Sequence, residues 1–272
     1  MRKQRFVHYK NQSKNTHCLS NNIVNCVYID HNNMLWIGTG KGLNKYNLSS
    51  QNDKILENKF IKYFNMPGDP DSLNNNRVRS IYEDKNGNLW FATSGGLNRY
   101  NRKENNFISY HSENNNPNSL SHDSLYFVTG DYTNTLWIGT ANGVEKLDPG
   151  NQQFKLYLSG LHIHSVYECA DGVLEIGTNS GLKRILYTKT DNTSPYYNIP
   201  LSIRKKIVTK ILKDNDGLLW IATQGEGLNK CDPKTGKCLN YKNDPGDPKW
   251  LWNILLAFAR HHVSKYKIRK ID

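Results

Sequence analysis

Asn88-Leu89-Trp90-Phe91-Ala92-Thr93-Ser94-Gly95-Gly96-Leu97-Asn98-Arg99-Tyr100 decides the fold, because the chain writes it out again and again. Leu35-Trp36-Ile37-Gly38-Thr39 runs to Gly42-Leu43-Asn44-Lys45-Tyr46, and Leu136-Trp137-Ile138-Gly139-Thr140 runs to Gly143-Val144-Glu145-Lys146-Leu147. Leu219-Trp220-Ile221-Ala222-Thr223 leads to Gly227-Leu228-Asn229-Lys230, and a worn copy, Leu174-Glu175-Ile176-Gly177-Thr178, to Gly181-Leu182-Lys183-Arg184. The anchors at 36, 90, 137, 175 and 220 are 54, 47, 38 and 45 residues apart, a spacing shared by propeller blades and helical arrays.

Local chemistry separates those two possibilities. Ahead of the anchor stands a short apolar run, Val78-Arg79-Ser80-Ile81-Tyr82-Glu83-Asp84, and then a tight polar turn, Lys85-Asn86-Gly87-Asn88. Asn-Gly between two β-prone runs marks a hairpin, since both residues tolerate positive φ. The anchor run ends at Ser94-Gly95-Gly96; Leu97–Tyr100 forms a third run and Phe107-Ile108-Ser109-Tyr110 a fourth. No sustained helical period appears before the last thirty positions. The unit is a four-stranded antiparallel meander, and the expected fold is an all-β β-propeller with five visible repeats.

First strands are expected near Val24–Ile29, Val78–Glu83, Leu125–Thr129, Ile163–Tyr167 and Val208–Lys213. Phe6-Val7-His8-Tyr9 matches the fourth-strand pattern, so the chain is expected to open with an outer strand of a preceding or closing blade. The propeller then occupies residues 1–248 and a divergent tail 249–272. Connectors recur at Pro67–Leu73, Asn116–Leu120 and from Asp244; after the third the pattern breaks into Trp250–Arg260. A truncated or disrupted reading frame is favoured there over a short helix capping the open edge. The five repeats are left with three outcomes: a closed five-blade ring, an incomplete open ring, or strand borrowing from a second copy. An uncovered edge invites pairing, so homodimerisation through blade edges is an expected partnership.

The net charge of +12 sits mostly at the ends: residues 1–14 hold five Lys or Arg and no acid, and residues 260–272 hold five and one Asp. The body is nearly neutral, which argues against nucleic acid as a partner. No apolar stretch follows the basic N-terminus and none is long enough to span a bilayer, so taken alone the chain is expected to be soluble and cytoplasmic. Cys18, Cys26, Cys169, Cys231 and Cys238 are too scattered for a disulfide framework or a zinc site. Cys231 and Cys238 flank a turn between third and fourth strands, where a cross-strand bridge is feasible; two free thiols are the favoured expectation.

No nucleophile, base and acid recur at a readable spacing, and no cofactor or metal site is expected. Asp84-Lys85-Asn86-Gly87 and Asp214-Asn215-Asp216-Gly217 resemble the start of a calcium loop but lack its closing Glu, and read as turns. Trp36, Trp90, Trp137 and Trp220 read as core between blades rather than sugar platforms. In a meander the starts of first strands and the turns between second and third strands share one end. Aligning the copies puts Asn25, Arg79, Tyr126, His164 and Thr209 at one first-strand position, chemically different in each blade between apolar neighbours. Lys41, Asn142, Asn179, Gln224 and Glu226 add hydrogen-bonding groups at the same end. Solvated variation is the plainer explanation; a rim for a polar ligand is the functional one.

Ser-Leu-(Ser/Asn)-Asn, Ile-Tyr-Glu-Asp-x-x-Gly-Asn-Leu-Trp and Trp-Ile-Gly-Thr-x-x-Gly-Leu-Asn-(Lys/Arg)-Tyr together resemble the two-component-regulator propeller repeat, over residues 19 to 241. The resemblance implies seven-bladed propellers in the extracytoplasmic sensor parts of bacterial receptors, among them hybrid histidine kinases that detect carbohydrates or their breakdown products. It therefore implies a periplasmic or extracytoplasmic place, a polar ligand such as an oligosaccharide, and a membrane link only through another part of a receptor. The chain differs in having fewer repeats and no kinase or receiver domain. The expected function is a non-catalytic, ligand-binding sensor propeller; the alternative is a protein-interaction scaffold without a small ligand.

Overall fold

The computed structural model describes residues 8–12, 14–49, 59–150, 152–169, 172–187, 203 and 205–242. They fall into two compact units divided between His162 and Ile163. The first holds three four-stranded antiparallel sheets. Blade 1 is β1 (Val24–Ile29), β2 (Met34–Thr39), β3 (Gly42–Asn47) and β4 (Ile61–Tyr63). Blade 2 is β5 (Val78–Glu83), β6 (Leu89–Thr93), β7 (Gly96–Asn101) and β8 (Asn106–Tyr110). Blade 3 is β9 (Leu125–Gly130), β10 (Leu136–Thr140), β11 (Val144–Asp148) and β12 (Gln153–Tyr157). In the second unit, blade 4 shows β13 (Ile163–Cys169), β14 (Val173–Thr178) and β15 (Gly181–Leu186). Blade 5 is β16 (Val208–Lys213), β17 (Leu219–Thr223), β18 (Gly227–Cys231) and β19 (Cys238–Tyr241). The fold is an all-β propeller of meander blades, as the repeats predict.

Each Trp anchor is buried and its surroundings are rebuilt in blade after blade. Trp36, Trp90, Trp137 and Trp220 are at most 5% exposed. Their indole N–H groups donate to Asp30, Asp84, Asp131 and Asp214, six residues earlier, at 2.8–2.9 Å. A cation from the third strand lies over each ring: Lys45, Arg99, Lys146 and Lys230. A Tyr from the fourth strand packs against it: Tyr63, Tyr110, Tyr157 and Tyr241, with ring centres 5.7–5.9 Å apart. A buried indole needs an acceptor, and an aromatic face attracts a cation, so three neighbours fix one side chain.

The Asp that receives the indole also shapes the first hairpin. Asp84 Oδ1 accepts the N–H groups of Asn86 and Asn88 at 2.9 Å each, while Oδ2 accepts the Trp90 indole and the Asn88 side-chain amide. The Asp84 backbone N–H bonds Asn88 O and that of Gly87 bonds Asp84 O, so the loop is a turn closed by one residue at positive φ, not two: Gly87, with Asn33, Asn134 and Gly217 in its place elsewhere. The calcium-like stretches are thus turns whose leading carboxylates, Asp84 and Asp214, are already engaged.

Blade 4 loses both halves of this pair. Glu175 replaces the Trp and Cys169 stands where the other blades have Asp. Glu175 is fully buried, and Arg184, its register partner on β15, donates to it at 2.9 Å. An ion pair takes over from ring and cation at the same two positions.

Connectors seat the blades. Leu19, Leu73 and Leu120 are buried, and the backbone N–H groups of Phe60, Phe107 and Phe154 bond connector carbonyls of His17, Asp71 and Asn118. Within the first unit, Trp36, Leu43 and Tyr63 of blade 1 pack with Val78, Ile81, Phe91 and Phe107 of blade 2. Trp90 and Leu97 of blade 2 pack with Leu125, Val128 and Ile138 of blade 3.

One expectation changes. Cys231 and Cys238 are joined by a disulfide rather than standing as free thiols; they are direct partners in the β18–β19 register, and that register brings their Cβ atoms to one side of the ladder. Of the expected outer strand Phe6–Tyr9, only His8 and Tyr9 are described, and neither is in a strand. Tyr9 instead rests edge-on against Phe60 and Tyr46. The tail 249–272 and the connector from Asp244 lie outside the described residues. No helix among those described is long and apolar enough to cross a membrane.

Candidate functional site

One end of every blade is built from the same two devices. A Thr closing the second strand turns its hydroxyl onto the Gly that opens the third: Thr39 onto Gly42, Thr93 onto Gly96, Thr140 onto Gly143, Thr178 onto Gly181 and Thr223 onto Gly227, at 2.7–3.0 Å. All five glycines have positive φ. That turn is then tied to the approach to the first strand. Gly40 N–H bonds Ile23 O, Ser94 N–H bonds Arg77 O, Ala141 N–H bonds Ser124 O and Gln224 N–H bonds Ile207 O.

The second device is a β-bulge just inside each first strand. The register skips one residue between Val24 and Cys26, Val78 and Ser80, Leu125 and Phe127, Ile163 and Ser165, and Val208 and Lys210. The extra residues are Asn25, Arg79, Tyr126, His164 and Thr209. A bulge takes one residue out of the ladder and re-aims its side chain, and such features gather near sites. The positions singled out by their variability are therefore the five places where the backbone frees a side chain from sheet packing.

In the first unit three of them lock onto a neighbouring blade. Asn25 Nδ2 donates to Val78 O at 2.8 Å. Arg79 Nη1 donates to Ser124 Oγ and Leu125 O at 3.1 and 2.9 Å. Its guanidinium lies 4.4 Å from the centre of the Tyr126 ring, which stacks in turn on His162. Burial and the nearby Arg77 charge lower the Arg79 pKa, and Tyr126 opposes them. In the second unit His164 is half-buried and Thr209 exposed, its hydroxyl bonding Ala222 O.

The turn residues sit beside the bulges of their own blades. Lys41 and Asn179 are exposed, and Asn142 accepts the Gly160 N–H. Gln224 is exposed, whereas Glu226 pairs with Lys206 and Lys242 at 3.2 and 2.7 Å, which lowers its pKa. Asn25 with Lys41, Tyr126 with Asn142, His164 with Asn179, and Thr209 with Gln224 and Glu226 thus meet at one end of their respective blades.

Glu145 was not among the residues singled out from sequence. It stands on β11 where blades 1, 2 and 5 have Asn44, Asn98 and Asn229. It is 1% exposed, lines a cavity of about 460 Å³ under the blade 3 connector, and burial raises its pKa. The signal was available in the repeat alignment: a lone carboxylate in a column that is Asn in three blades and Lys183 in blade 4.

Residues 18–41, 72–95 and 202–225 match the family described as two component regulator propeller. Each matched stretch runs from a connector through the first two strands to the turn at the candidate end. Among curated proteins none matches the chain. An extracellular domain of a hybrid two component system from B. thetaiotaomicron is similar, with 27% identity and a TM-score of 0.67, over 81% of this chain and 30% of that one. The chain thus spans under a third of that relative's length. A surface component of the type-IX secretion system of Porphyromonas gingivalis is 18% identical over 83% of this chain and 34% of that one, with a TM-score of 0.61. Virginiamycin B lyase from Staphylococcus aureus is 15% identical over 89% and 74%, with a TM-score of 0.59. The last two share the fold alone.

Proposed function

We propose, for a chain in which three stretches match the two component regulator propeller repeat, a non-catalytic sensor role in which the bulge-bearing ends of the first unit's blades recognise a polar ligand such as an oligosaccharide. One observation carries it: five bulges take five chemically different residues out of the ladder, while the scaffold around them stays the same. A fold maintained by repetition has no need to vary that column, and a recognition surface does. Tyr126 and His162 supply ring faces, Arg79 and Asn142 directional polar groups, the mixture that polar ligands use. The extracellular relative supports a place outside the cytoplasm, and so does the Cys231–Cys238 bridge, since such bonds persist in oxidising compartments.

The test is an array of neutral and acidic oligosaccharides probed with the whole chain. Retention of one sugar class is expected, weakened roughly tenfold or more by Arg79→Ala or Tyr126→Ala, measured below the melting temperature of each variant. No retention, or equal retention by the variants, overturns the proposal; a protein captured regardless of sugar supports a scaffold instead.

A further inference from the structure

The third-strand column that carries Asn in most blades is a fully used amide. Asn98 Oδ1 accepts the Asn74 N–H and the Ser109 hydroxyl at 3.0 and 3.2 Å, and its Nδ2 donates to Asn74 Oδ1 at 2.7 Å. Asn44 Oδ1 accepts the Ser20 N–H and its Nδ2 donates to Ser20 Oγ and Ile37 O. Donor and acceptor are both spent, which is what a buried amide requires.

Blade 3 changes all three members of that network together. Asn74, Asn98 and Ser109 become Ser121, Glu145 and Leu156. Glu145 keeps the backbone bond, with the Ser121 N–H donating to Oε1 at 2.8 Å, and Leu156 has no donor to give. A carboxylate offers about four acceptor positions, and this one draws its hydrogen bonds from Ser121 alone. It faces a cavity of about 460 Å³ whose walls include Glu113, Ser119, Leu120 and Leu156, with no Lys, Arg or His among them. Glu113 Oε2 accepts only from Asn116, at 2.7 Å.

Blade 1 shows what kind of group this place admits. Its counterpart of Leu156 is Lys62, paired with Asn44 in the β3–β4 register, and the Lys62 ammonium reaches inward to Cys18 Sγ at 3.8 Å. Blade 1 thus has a built-in ammonium and a neutral amide. Blade 3 has the carboxylate and a shortened apolar wall in place of the lysine.

We propose that the groove beneath the blade 3 connector binds a small organic cation, whose ammonium sits on Glu145 and whose body lies along Leu120 and Leu156. An ammonium brings three donors to an under-supplied buried carboxylate and removes the cost of leaving that charge alone. Glu113 at the rim adds attraction of the same sign. No bulge residue lines this groove, and the proposal does not depend on the sensor reading.

The whole chain is titrated calorimetrically with glucosamine and cyclohexylammonium, and with glucose and cyclohexanol as neutral matches. Both amines are expected to bind, and the neutral partners to bind roughly tenfold weaker or worse. Glu145→Gln, close in shape, should weaken amine binding by a similar factor without lowering the melting temperature. Leu156→Arg should place a cation in the groove from within and abolish amine binding, and it carries the test if Glu145→Gln fails to fold. Arg79→Ala should leave amine binding untouched. Equal binding of amines and neutral matches, no amine binding, or amine affinity that survives both groove variants overturns the proposal.

Discussion

Asp84 serves four hydrogen-bond donors two to six residues further on, the N–H groups of Asn86 and Asn88, the Asn88 side-chain amide and the Trp90 indole. Asp84→Ala leaves the indole buried without an acceptor and the hairpin without its organiser, so a loss of roughly 3 kcal/mol is expected from the urea midpoint. Trp90→Phe should remove less on the Asp84→Ala background than on the wild type, with a coupling of roughly 1–2 kcal/mol in the double-mutant cycle. Blade 4 carries out that double change naturally, having Cys169 and Glu175. Glu145 gives a second residue-scale prediction. Burial holds its folded-state pKa above the ordinary 4.5, so the folded chain keeps the proton longer than the unfolded one. Stability must then fall as pH rises from about 4.5 towards the raised value. Glu145→Gln should flatten that part of the pH–stability curve and stabilise the chain at pH above it; an unchanged curve would show the carboxyl ionising normally. The Trp column was legible in the sequence because the residue is rare and recurs. Its Asp was read correctly as a turn residue, but the indole bond was hidden, since it depends on a register that spacing alone does not display.

At the scale of the strand and turn, the Gly-Leu pair returns because the turn has room for nothing else. Gly96 has φ +122, and a Cβ there would meet Tyr110 O at 2.4 Å. Gly96→Ala should therefore cost roughly 2 kcal/mol or more, whereas Gly68→Ala, with nothing within 4 Å of its Cβ position, pays only for its φ of +87. Comparing their melting temperatures isolates the clash from the backbone strain. The β18–β19 hairpin is closed twice, by its ladder and by the Cys231–Cys238 bridge. Cys231→Ser with Cys238→Ser should lower stability by roughly 2 kcal/mol, and peptide mapping without reductant should find the two cysteines linked in the wild-type chain. The sequence favoured free thiols because seven residues of separation is compatible with either state; only the strand register makes the two cysteines direct partners. The bulges were likewise out of reach: variability at Asn25, Arg79, Tyr126, His164 and Thr209 was visible, but an extra residue in a strand shows itself only against its partner.

At the scale of the first unit, the three blades are covered unequally although their strands are nearly identical. Val78 and Ile81 of β5 are buried under blade 1, and Leu125 and Val128 of β9 under blade 2. The same positions in β1 are Val24 and Val27, which are 46% and 63% exposed, and Ile23 and Ile29 beside them are exposed as well. Every first strand is paired in a ladder on one side only, so the ladder does not distinguish them; apolar cover does, together with the side-chain bonds from Asn25 to Val78 O and from Arg79 to Leu125 O. Local opening is easier where fewer buried contacts must be given up. Amide exchange followed by mass spectrometry should therefore find residues 24–29 exchanging well before 78–83 and 125–130, with the central strands β6 and β7 of blade 2 slowest of all. If β1 exchanges as slowly as β5, some surface must cover Val24 and Val27 in solution. Dilution then separates the possibilities: protection that fades as the protein is diluted comes from a second copy, and protection that persists comes from the chain itself.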